Sequence, residues 1–96
     1  MLTPNNSTIN EINKIDLIQD LIVKVLDCHY IDVSGDGVHF DAIVVSDIFL
    51  NKTRVARHRV IYDILGDRMK QEIHALSMKL YTINEWLSLG DKSING

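Results

Sequence analysis

Apolar positions along this chain follow two rhythms, and the changes of rhythm mark out its elements. Over 10–26, Ile15, Ile18, Leu21, Ile22, Val25 and Leu26 recur three and four apart. That spacing lays a single apolar stripe along an amphipathic helix. Asn13, Asp16, Gln19, Asp20, Lys24 and Asp27 fill the opposite side. "HYIDV" (29–33) then alternates with period two. "SGDG" supplies two glycines around an aspartate, which is turn chemistry, and 34–38 links a hairpin. "HFDAIVVSDIF" (39–49) is rich in β-branched residues and reads as one central strand.

The period changes again at "NKTRVARHRVIYDILGD". Thr53 is placed to cap a helix whose buried side is Val55, Val60, Ile61, Ile64 and Leu65, and Gly66 ends it. "DRMKQE" (67–72) reads as a second short turn or helix. "EIHALSMKLYT" (72–82) is a strand starting near Ile73, with His74 at the head of a row continued by Leu76, Met78 and Leu80. Thr82 and Glu85 match a capping box, so a last helix runs through Trp86 and Leu89 until Gly90.

The predicted order is α-β-β-α-(α)-β-α. The first two strands pair antiparallel. The crossover over 48–72 is long enough to bring the third strand back parallel to the second, right-handed by the general rule. The expected fold class is a two-layer α/β (α+β) domain, a three-stranded mixed sheet with helices on one face. Residues 1–9 read as a flexible lead-in, 10–90 as a single domain and 91–96 as a flexible tail.

Composition narrows the function classes. The 96 residues carry a net charge of −3, an unfavourable balance for a nucleic-acid binder, although a local basic patch remains open. Cys28 is the lone cysteine, so no internal disulfide forms, which fits a reducing compartment. The amino terminus has no basic region followed by a long apolar run, and no apolar stretch approaches the roughly 20 residues of a membrane span. A cytoplasmic protein without membrane attachment is expected. There is no serine elbow, no His-Glu-x-x-His and no cysteine activated by a neighbouring base within readable spacing, so the chain reads as a non-enzyme.

Three candidate groups carry chemistry. His74 heads an apolar strand row, where it is either a structural residue bonded through its ring or a ligand. His39 beside the turn is either solvated or a ligand. Arg54, Arg57, His58 and Arg59 in "RVARHR" make either a solvated helix face or a basic patch for phosphate. Cys28 reads as a small buried hydrophobe.

"GDGVHFDAIVVSDIF", "RVARHRVIYDILGDRM" and "IHALSMKLYTINEW", in this order and spacing, resemble the BolA family of small α/β proteins. The resemblance spans about 16–86. It implies a fold similar to the type II KH arrangement, although "LGDR" lacks the second glycine of a KH "GxxG" loop. It also implies pairing with a monothiol glutaredoxin around a shared, labile 2Fe–2S cluster in iron and stress physiology. The glutaredoxin would offer its cysteine and a bound glutathione. This chain would offer His74 as principal ligand and His39 as the second; alone it would hold no cofactor and be a monomer or weak homodimer. One cysteine cannot supply four thiolates, and imidazole is a good ligand for iron. The alternative implied by the family is a DNA-binding transcriptional regulator using the basic helix 54–59.

Overall fold

The computed structural model describes residues 6–67 and 75–95. Its elements are α1 (Asn6–Val25), β1 (Tyr30–Gly35), β2 (Phe40–Val45), a 3-10 turn (Asp47–Phe49), α2 (Arg54–Leu65), β3 (Leu76–Tyr81) and α3 (Ile83–Asn95). The sheet order is β1-β2-β3. β1 and β2 are antiparallel, with Val33 opposite Ala42. β2 and β3 are parallel, with Phe40 beside Leu76 and Val44 beside Leu80. This is the mixed α+β sheet that the sequence pattern predicts. His74, the start of the third strand near Ile73 and nearly all of the turn or helix at 67–72 lie outside the described residues. None of the described helices is long and apolar enough to cross a membrane.

Side chains alternate across a strand, so one face of the sheet presents Ile31 and Val33, then Phe40, Ala42 and Val44, then Leu76, Met78 and Leu80. Ile18 and Ile22 of α1, Leu26 just after it, and Ile61 and Leu65 of α2 close over that face. Ile18, Ile22, Phe49 and Ile61 are fully buried, each contributing about 1.5–3 kcal/mol relative to exposure. The local signals act as expected. Thr53 Oγ1 accepts the Ala56 N–H at 3.1 Å. Gly66, at φ 61°, donates its N–H to Tyr62 O at 2.8 Å. Glu85 N–H donates to Thr82 Oγ1 at 3.2 Å, and Thr82 N–H returns to Glu85 Oε1 at 2.9 Å.

Four expectations need adjustment. The 39–49 strand stops at Val45, because Ser46 turns the chain: its Oγ accepts the Ile48 N–H at 3.3 Å and donates to Asp27 O at 2.9 Å. Val55 is 67% exposed rather than buried. It shares a helix face with Arg59 and Tyr62, four and seven residues on, away from Ile61. Both outer helices are longer than the pattern implied, α1 starting at Asn6 and α3 running through Gly90 to Asn95. Finally, α1 and α2 cover one face, but Trp86 of α3 reaches the other. There Tyr30, Val45 and Tyr81 stand in one row across the sheet. Trp86 stacks on Tyr30 at 5.0 Å between ring centroids and tilts against Tyr81 at 5.8 Å, which explains why Val45 is fully buried.

Candidate functional site

The hairpin turn carries His39. Gly35 pairs with Phe40, leaving a four-residue loop over 36–39. Asp36 Oδ1 accepts the Val38 N–H at 2.9 Å and the His39 N–H at 2.8 Å. The Asp36 N–H in turn donates to His39 O at 3.1 Å. Both backbone groups of His39 are thereby fixed, while its side chain is exposed. The two N–H groups from His39 and Val38 hold the Asp36 carboxyl below the usual carboxylate range. Gly37 takes φ 97°, a turn that glycine adopts without strain. A side chain at Gly35 would meet Phe40 Cδ1 at 2.6 Å and His39 O at 2.7 Å, so the loop leaves its strand through a narrow gap.

Parallel strands begin at the same end of a sheet. His39 immediately precedes β2, and the Phe40 N–H donates to Ala75 O at 2.8 Å. In sequence Ala75 follows His74, which itself is outside the described residues. His39 is thus the one sequence-derived ligand candidate whose surroundings are described: an exposed imidazole on a pinned backbone, a donor that fits one position on an iron. Among the described residues, no group of three or more His, Cys, Asp or Glu side chains gathers as a metal site.

The four residues of the basic segment have different environments. Arg54 and Arg59 are exposed. His58 is half-buried and lies edge-on to Tyr62 at 6.3 Å. Arg57 points into the fold. Its Nε donates to Lys52 O at 3.0 Å and its Nη1 to Leu80 O at 3.1 Å. Its Nη1 and Nη2 grip Glu85 Oε1 and Oε2 at 2.7 and 3.1 Å. This bidentate fork, with Arg57 only 14% exposed, ties α2 to the end of β3 and to the first turn of α3. The fork, helped by the Thr82 N–H, pulls the Glu85 carboxyl down to about 2. Nothing in the local sequence separates Arg57 from its neighbours; the partner that does so is 28 residues away.

Cys28 is half-buried against the core. Burial, and then the Asp27 charge, push its thiol up, the opposite of what a reactive thiolate requires.

A family model described as BolA-like protein matches residues 22–85. The acid stress protein IbaG of Escherichia coli (strain K12) is 36% identical over 80 residues, covering 82% of this chain and 93% of that one. The DNA-binding transcriptional regulator BolA of the same organism is 40% identical over 58 residues, 60% of this chain and 55% of that protein. Among solved structures, the BolA domain of SufE1 from Arabidopsis thaliana superposes with a TM-score of 0.69 at 34% identity, covering 75% of this chain and 94% of that one.

Proposed function

This chain belongs to the BolA-like protein family, and from that premise we propose that it is a non-enzymatic cytoplasmic adaptor that pairs with a monothiol glutaredoxin and shares a labile 2Fe–2S cluster with it. The chain's own contribution is two imidazoles, His74 as principal ligand and His39 as the second; the partner's cysteine and glutathione complete the set. A cluster bound through imidazole has a raised potential compared with one held by thiolates alone, which suits cargo handed between proteins.

The observation that supports this reading is the hairpin end. An exposed imidazole is held on a backbone fixed through Asp36, at the end of the sheet where the residue after His39 bonds the residue after His74. Such pinning lowers the ordering entropy that a ligand would otherwise lose on binding. The test is titration of a cluster-loaded monothiol glutaredoxin with the chain, followed by visible absorption and circular dichroism. A change that wild type produces and His74→Ala does not is expected, with His39→Ala weakening it. An unchanged spectrum, or the same change with His74→Ala, overturns the reading.

A second reading is supported by the exposed Arg54 and Arg59 and by a relative named as a DNA-binding transcriptional regulator. On this reading α2 contacts DNA phosphates, and Arg57, whose donors are engaged within the fold, contributes little. Binding would fall steeply with salt. A mobility shift indifferent to salt, or none at low salt, removes it.

A further inference from the structure

We propose that the outer edge of β3 is a docking site for an extended, acidic segment of a partner protein, which would join the sheet as a fourth strand.

β3 is the last strand of the sheet. The bonds from Phe40 N–H to Ala75 O and from Ser46 N–H to Tyr81 O fix its phase. In a parallel ladder alternate residues turn both backbone groups to the same side. Ser77, Lys79 and Tyr81 therefore face β2, while Leu76, Met78 and Leu80 face outward. Leu80 O conforms to this phase, accepting the Arg57 Nη1–H from outside the sheet. The N–H and C=O of Met78 have no protein partner among the described residues. An open strand edge is a template for another strand.

That edge forms the floor of a groove between α2 and α3, with a volume of about 790 Å³. Met78 and Leu80 line it from below, Arg54 and His58 from α2, and Lys79 and Leu89 from the other side. Its charge selects the occupant. Arg57 is neutralised by Glu85, but Lys52, Arg54 and Lys79, all lining the groove, have no carboxylate within ion-pair distance among the described residues. A protein of net charge −3 thus presents a cationic channel along a strand edge on which, among the described residues, the Met78 N–H and C=O are open and Leu80 O is held by Arg57. A second copy would bring Lys79 and Arg54 against their own kind. A nucleic acid would satisfy the cations but not the outward carbonyl of Met78, which repels phosphate. An acidic peptide strand answers both the charges and the alternating donors and acceptors.

The groove is separate from the histidine end: Ala75 and Leu80 are five residues apart, roughly 16 Å of extended strand. Its test therefore does not depend on cluster sharing. The probe is an acetylated, amidated heptapeptide of alternating glutamate and valine, titrated into the isotope-labelled chain and followed by amide chemical shifts and hydrogen exchange. Saturable shifts at Met78 and Leu80 and slowed exchange at the Met78 amide are expected. Arg54→Glu should weaken the interaction about tenfold. Met78→Pro should abolish it, because it removes one outward N–H at an edge position where proline is tolerated. The same peptide with alternate amides N-methylated should not bind.

The proposal is overturned by an absence of shifts up to about 1 mM peptide, by shifts confined to other elements, or by equal binding of the N-methylated peptide. It is also overturned if Arg54→Glu binds as wild type does. Protection of Met78 by a DNA duplex but not by the peptide, or by raising the concentration of the chain alone, would assign the edge to nucleic acid or to self-association instead.

Discussion

Replacing Arg57 by alanine should unfold the protein more readily than any other change in the basic segment. The guanidinium makes two bonds to part-buried carbonyls, Lys52 O and Leu80 O, and a fork onto Glu85. Hydrogen bonds from a charged donor contribute about 1.5–3 kcal/mol each, and the lower end applies where water reaches the vacated carbonyls. The ion pair adds less. Lowering the Glu85 carboxyl from 4.5 to about 2 would amount to ~3.4 kcal/mol at 1.36 kcal/mol per pH unit. However, that side chain is 45% exposed, and screening leaves ~1 kcal/mol or less. The expected loss for Arg57→Ala is therefore about 3–4 kcal/mol, read as a lowered urea midpoint at unchanged slope. Arg54→Ala and Arg59→Ala should each stay within about 0.5 kcal/mol of wild type. The reasoning is refuted if Arg57→Ala falls in that same narrow band.

Glu85→Gln keeps an acceptor for the Thr82 N–H but removes the charge. A carboxyl held low contributes stability that is present above its ordinary range and disappears as acid protonates it in the folded state. The stability gap between wild type and Glu85→Gln should thus be full at pH 7 and close between about pH 4.5 and about 2; a gap of constant size over that range denies the ion pair. Gly35→Ala should cost about 1–3 kcal/mol, because the new methyl would meet the Phe40 ring and His39 O; an unchanged melting temperature contradicts this. Trp86→Ala uncovers Val45 and both tyrosines and should cost about 3 kcal/mol, with loss of the near-ultraviolet aromatic circular dichroism. Asp36→Ala leaves the histidines in place but frees the His39 N–H. It should lower stability only slightly and weaken cluster sharing; full retention of sharing removes the pinned backbone from the proposal.

The elements were legible where a local signal and the global fold agree. Thr53, Gly66 and the Thr82–Glu85 pair each act through neighbours within four residues, so the sequence window contains the whole interaction. The alternation of Phe40, Ala42 and Val44 with Asp41 and Ile43 encodes a sheet face in the same way. Two features escaped because the determining partner is distant. Arg57 is one cation among several until Glu85 arrives. Val45 is an apolar residue on the far face until Trp86 covers it. Val55 reads as core because it is apolar, although its angular position groups it with Arg59 and Tyr62. Ser46 was missed despite a local cue, since a hydroxyl before Asp47 is also a cap; the β-branched run outweighed it. At the site, His39 came from the resemblance, while Asp36, which fixes it, was visible only as turn chemistry in "SGDG".

The parallel pairing of β2 with β3 has a consequence for how the chain is assembled. β1 and β2 are joined by four residues and can zip together as soon as both exist, whereas β3 docks only after thirty more residues have been made and α2 has folded back. Until then the central strand is bare along one side, and long-range pairing is the slow part of such a topology. The hairpin should acquire protection from solvent exchange early in refolding and β3 late. Simultaneous protection of all three strands in a pulse-labelling experiment would mean that the crossover is already closed when the hairpin forms.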